Sequence, residues 1–231
     1  MPPPIYDWRS RLCNVGQVFL QPGQSDTGAM TLGGFLTENP EPGGRYHLRM
    51  SFPPFWKDRA RNKDASWTIT RLSAGSIMRI PLLPSVQLVS AADLGGTDAG
   101  QPWSSGEPWD NGENWGWRPA APVAAAAARG SASFQADLLE FGQVLVIGDV
   151  IGFSQGNLDF AHKVMDISYS AGDVATVSVS PPLRRAVTTE DAMQFRPRVM
   201  VVCRNASSAL AGLTRRNRIS LGELQFVEAL L

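Results

Sequence analysis

The segment Gly152-Phe153-Ser154-Gln155-Gly156 matches G-x-S-x-G, the pattern that mounts a nucleophilic serine on a sharp strand-to-helix turn. That chemistry needs a histidine within reach of the serine, arriving late in a large α/β domain. The only histidine downstream is His162, a few residues on. The flanks read as two strands of a hairpin, so a turn is expected here and no hydrolase. His47 and His162 sit on separate predicted strands and offer neither a two-histidine metal pair nor an acid–base dyad. Asp110-Asn111-Gly112-Glu113-Asn114 clusters oxygen ligands on a glycine turn, but fits no calcium spacing and reads as a solvated turn. Cys13 and Cys203 lie far apart without C-x-x-C spacing, so buried thiols are expected, with no zinc signature and no disulfide framework. Arg184-Arg185 and Arg215-Arg216 with Arg218 read as solvated basic groups beside turns, or as inter-subunit salt contacts. No catalytic residue, cofactor or metal is expected, and the chain is read as a non-enzyme.

The aromatic residues carry a plainer signal. Gly100-Gln101-Pro102-Trp103, Gly106-Glu107-Pro108-Trp109 and Gly112-Glu113-Asn114-Trp115 repeat a hexapeptide, and Trp117 follows at once. Ordering such a loop costs roughly 1–2 kcal/mol per residue. Four buried indoles contribute only about 2–3 kcal/mol apiece. The loop must therefore dock on something: its own sheet, a neighbouring subunit, or a ligand such as a sugar, whose flat apolar face suits an indole. Trp103, Trp109, Trp115 and Trp117 are the candidate interface or glycan contacts.

The elements that would position these groups are strands. Tyr46, Leu48, Met50 and Phe52 alternate with His47, Arg49 and Ser51, and Pro53-Pro54 stops the run. Residues 56–62 read as a polar stretch of at most two helical turns. Trp67–Leu72 and Ser76–Leu83 read as strands joined by Ala74-Gly75. A second strand-rich block covers 131–203, with strands expected at Val144–Phe153, His162–Ser168, Ala175–Ser180 and Arg198–Cys203, and one more at Ile219–Val227. Gly156-Asn157, Gly172-Asp173 and Pro181-Pro182 mark turns. The 22 glycines and 17 prolines fit frequent turning and few long helices. An all-β fold follows, of two small β-sandwich or β-barrel units with a long Gly/Trp-rich loop and little helix. Its expected division is an N-terminal unit over 1–83 completed by 204–231, a loop and linker over 84–130, and a second unit over 131–203.

Bulk properties narrow the role. Lys plus Arg and Asp plus Glu each number 21, so the chain lacks the basic excess of a protein that wraps nucleic acid. No apolar run approaches a membrane span, and Met1–Tyr6 lacks the charged and apolar regions of a signal peptide. A soluble protein made in the cytoplasm is expected.

Gly43-Gly44-Arg45-Tyr46 through Phe52-Pro53-Pro54, then Trp67 through Gly75-Ser76-Ile77-Met78-Arg79-Ile80-Pro81, resembles the first half of the distal tail (baseplate, tail-tip) proteins of long-tailed bacteriophages. In that family a Gly-x-Arg-Trp strand and a Pro-Pro stop precede a Gly-led strand. Ala128-Arg129-Gly130-Ser131-Ala132, Gly148-Asp149-Val150-Ile151-Gly152-Phe153, His162-Lys163-Val164 and Pro181-Pro182-Leu183-Arg184 follow the order of its second half, with Glu190-Asp191 before Phe195 completing it. Tyr46 stands where the family has Trp, and 56–65 is shorter and more polar than the family's helix. The resemblance implies a virion structural protein assembled in the host cytoplasm. It would form a ring, a hexamer favoured, between the tail tube protein and the tail hub or fibre proteins, with no membrane partner and no direct nucleic-acid binding. The alternative is a glycan-binding module at the tail tip, acting in host adsorption.

Overall fold

A computed structural model describes residues 3–9, 12, 16–20, 29–30, 36–37, 44–52, 55–56, 59–82, 88–95, 119–170, 172–206, 218–219 and 222–230. The chain is mostly β and forms two compact units, Met1–Pro81 with Val199–Leu231, and Leu82–Arg198. The first seven strands are β1 (Ile5–Asp7), β2 (Gly16–Leu20), β3 (Ala29–Met30), β4 (Leu36–Thr37), β5 (His47–Ser51), β6 (Phe55–Trp56) and β7 (Ile77–Pro81). One helix among the described residues, α1 (Arg59–Ser73), precedes β7. Then come β8 (Ala120–Ala125), β9 (Ser133–Asp137), β10 (Val150–Gln155), β11 (Leu158–Tyr169), β12 (Val174–Ser180) and β13 (Ala192–Gln194). The chain closes with β14 (Arg198–Cys203), β15 (Arg218–Ile219) and β16 (Glu223–Glu228).

The first unit is built on a six-stranded sheet in the order β1-β7-β14-β16-β5-β2. The alternation that marks β5 in the sequence is its burial pattern: Tyr46, Leu48, Met50 and Phe52 are buried while Arg49 is exposed. On the paired β16, Leu224 and Phe226 share that buried side, and the indole of Trp8 packs near the rings of Phe52 and Phe226, at 5.9 and 6.0 Å. Glu228 is buried as well, and its carboxylate accepts the Tyr46 backbone N–H at 3.1 Å.

The expected strand at Trp67–Leu72 is instead the second half of α1. Its aromatic and β-branched residues favour a strand locally, yet Ala65, Thr68, Ile69 and Leu72 recur at helical spacing and form its buried stripe. Thr70 and Ser73 hydroxyls donate to the carbonyls four residues back, at 2.9 and 2.8 Å, which satisfies them within the helix. Trp67 stacks edge-on to Tyr6 of β1 at 5.4 Å, and the Arg9 guanidinium lies over the Trp67 ring, 4.2 Å from its centroid. The Ala74-Gly75 turn is the cap of this helix: Ser76 N–H reaches Arg71 O and Gly75 N–H reaches Leu72 O, with Gly75 at φ +74°.

The second unit is a closed six-stranded barrel in the order β10-β11-β12-β9-β8-β13. Inward residues alternate along its strands: Ala121 and Val123, Phe134 and Ala136, Ile151 and Phe153, Ala175, Val177 and Val179 all join one core with Phe195. Phe134 meets Phe153 edge-on at 5.1 Å, and Phe141 meets Phe195 at 4.9 Å. Two corrections to the expected division follow. The Pro/Ala run placed in a linker supplies the barrel strand β8, since Ala121 and Val123 face the core even though the run carries no polar alternation to announce it. Residues 199–203 of β14, placed in the second unit, belong to the first, where Val201, Val202 and Cys203 pair with β16. The strand expected from Val144 starts only at Val150, because Asp149 turns the chain: its carboxylate accepts the Val146 N–H at 2.8 Å.

Candidate functional site

Gly152, Ser154 and Gly156 lie on a β-hairpin, as the sequence suggested, with Gln155 paired to Leu158 across the two-residue turn Gly156-Asn157. Gly152 has a packing role. A Cβ there would sit 2.5 Å from the Phe160 carbonyl oxygen and 2.7 Å from Pro197 Cβ. Ser154 and His162 fall on opposite sides of the strand pair. Ser154 lies across from Asp159 and donates its hydroxyl to that carboxylate, whereas His162 lies across from Ile151. The two cannot form a nucleophile–base pair.

His162 is a core residue. Its ring is buried 6.1 Å from that of Phe153, and Nδ1 lies 2.8 Å from the Pro181 carbonyl oxygen, so Nδ1 carries the proton. Burial pushes its pKa down to about 4, so the imidazole is neutral at physiological pH. His47 is half-buried on β5. Cys203 is a half-buried free thiol whose S–H donates to Asn205 Oδ1 at 3.4 Å, and burial pushes its pKa up. Asp159 is buried and accepts from the Arg198 guanidinium at 3.3 Å. Among the described residues, no three His, Cys, Asp or Glu side chains group so as to hold a metal ion.

Trp103, Trp109, Trp115 and Trp117, the Asp110–Asn114 turn, Cys13, Arg215 and Arg216 lie outside the described residues. What the structure brings forward instead are two features of the barrel. The first is the connection from β9 to β10. Leu138 and Leu145 are buried, while Leu139, Val146 and Ile147 point outward at 69%, 60% and 64% exposure. The loop is braced: Phe141 N–H donates to Leu138 O at 2.9 Å, Gly148 N–H to Val164 O at 2.9 Å, and the Tyr169 hydroxyl to Leu145 O at 2.9 Å. Burial raises the pKa of Asp149, whose carboxylate turns this loop. In the sequence the run Val144-Leu145-Val146-Ile147 reads as the start of a strand.

The second is an open groove of about 710 Å³ beside the hairpin, onto which Ser154, Gln155, Arg129, Arg185, Thr188 and Asp191 open. In the sequence Arg185 reads as part of a basic group beside a turn, a solvated face or an inter-subunit salt contact. Nothing in it places Arg129 nearby, because that depends on how two distant segments register.

No protein-family model matches the chain, and no curated protein matches it in sequence. Among the described residues no helix is long and apolar enough to cross a membrane.

Proposed function

We propose that the chain is a structural, non-catalytic subunit of the tail tip of a long-tailed bacteriophage, one that assembles into a ring between tail tube and tail hub or fibre proteins. The observation that carries this reading is the braced loop between β9 and β10. Three large apolar side chains stand exposed on a loop held by internal hydrogen bonds, and such exposed apolar groups favour association with another protein. Two further points support it. The sheet of the first unit ends on β1 and β2, each hydrogen-bonded to one neighbouring strand among those described, and open strand edges can pair with another chain. The Gly152–Gly156 motif is a hairpin whose serine and the histidine face opposite sides of the strand pair, which leaves the turn-and-strand resemblance as the stronger signal.

A ring is a heterologous interface closed by rotation, and each contact must bury above about 1,000 Å² to hold. Light scattering with negative-stain imaging of the purified full chain tests the reading. A discrete closed oligomer is expected, and Val146→Asp with Ile147→Asp should lower its assembly at least tenfold in concentration. A strict monomer at high concentration, with or without tail tube protein, would overturn it.

A further inference from the structure

Residues 127–131 and 183–187 run antiparallel along one side of the barrel's groove. Ala127 and Val187 exchange both backbone hydrogen bonds at 2.9 Å; Gly130 N–H donates to Leu183 O at 2.8 Å and Leu183 N–H to Ser131 O at 2.9 Å. Between these two brackets Arg129 stands across from Arg185. Both side chains are exposed, both line the groove, and neither guanidinium has a hydrogen bond or ion pair among the described residues. Like charges directly across a ladder oppose its formation. The one acidic residue lining the groove does not relieve them. Asp191 Oδ2 already accepts from Thr188 N–H at 2.8 Å, Thr188 Oγ1–H at 3.2 Å and Gln155 Nε2–H at 3.1 Å. Gln155 is fixed in turn by donating to Ala186 O at 2.8 Å. The groove thus has a braced floor and, above it, two cations with no partner among the described residues.

We propose that this groove is an oxyanion site that takes the phosphate group of a sugar phosphate. Two guanidinium forks match the charge and the three acceptor oxygens of a phosphate better than the single charge of a carboxylate. Ser154 donates its proton to Asp159, so its oxygen is left to accept from a ligand hydroxyl. Among the described residues no large apolar or aromatic side chain lines the groove, which disfavours an apolar ligand or a protein anchor residue. A nucleic-acid backbone would call for a basic stripe, and the chain has no basic excess. The site is independent of ring formation and stands or falls apart from it.

Isothermal titration of the full chain with glucose 1-phosphate, inorganic phosphate, glucose and a short DNA duplex tests the assignment. Glucose 1-phosphate should bind, inorganic phosphate at least threefold more weakly, and glucose not measurably. Arg129→Gln and Arg185→Gln should each weaken binding by about tenfold, one charge-assisted hydrogen-bonding partner being lost. Each should also raise the melting temperature of the unliganded protein by about 1–2 °C, because the opposed charges are relieved. The proposal is overturned by an absence of phosphate binding, by binding that survives the double substitution, or by a fall in melting temperature in both single variants. Equal affinity for inorganic phosphate would remove the sugar from the assignment, and tighter binding of the duplex would replace it with nucleic acid.

Discussion

In the barrel every strand from β8 to β13 has a hydrogen-bonded neighbour on each side, whereas among the described residues the sheet of the first unit stops at β1 on one flank and β2 on the other. Closure satisfies the backbone, so whatever the barrel offers to other molecules it offers through side chains: the outward Leu139, Val146 and Ile147, and the paired Arg129 and Arg185. Among the described residues the sheet ends instead in strand edges, whose backbone groups can pair. Side-chain surfaces discriminate by shape and charge, while edges pair with little regard to sequence. A protein carrying both could separate the choice of a partner from the strength of its hold.

The contrast can be attacked from the core outward. Phe195→Ala empties a fully buried position in the barrel and should cost about 4 kcal/mol. Hydrogen-exchange mass spectrometry should then show faster exchange in β10, β11 and β12 with β5 and β16 unchanged; equal loosening of both units would erase the distinction. Gly152→Ala should cost about 3 kcal/mol, read from the urea midpoint, because the added methyl meets backbone that a closed barrel cannot shift. A neutral substitution would mean that the barrel flexes as an open sheet does.

His162 gives the barrel a pH response. Its folded pKa of about 4 lies below the ordinary 6.5, so the unfolded chain takes up the proton first as pH falls. The stabilisation is whole above pH 6.5 and is lost progressively toward pH 4, amounting to about 2 kcal/mol between pH 7.5 and 5. Denaturation at several pH values should show this slope in the wild type and lose it in His162→Gln; a slope kept by the variant would place its origin elsewhere. The smallest effect belongs to the other unit. Gly75→Ala puts a side chain at φ +74° at the end of α1 and should cost about 1 kcal/mol, with faster exchange confined to α1 and β7.

Legibility in the sequence followed contrast. β5 and β12 alternate large apolar with polar residues, and both were readable to within a residue or two. β8 alternates alanine and valine with alanine and proline, so its two faces differ in burial but hardly in polarity. α1 was missed because Trp67, Thr68, Ile69 and Thr70 have strand propensity, and only the register of Ala65 and Leu72 with Ile69 reveals the helical stripe. The hairpin at Gly152–Gly156 was legible from its flanks. The arginine pair was not, since a cross-strand meeting of Arg129 and Arg185 is a property of the bridge between Ala127 and Val187, not of either segment.

The sheet order also sets a timetable. β7 and β14 are neighbours in the sheet, yet the whole barrel lies between them along the chain. While a ribosome makes the protein, β1 can pair with β7 and β2 with β5, but these two halves join only through β14 and β16, which emerge last. At synthesis rates of roughly 5–20 residues per second the wait is on the order of 7–30 seconds. The barrel, whose strands are contiguous, is expected to close during that interval, and limited proteolysis of chains stalled after Arg198 would show it resistant while the N-terminal strands are still cut. The last strands made thus complete the element that was begun first.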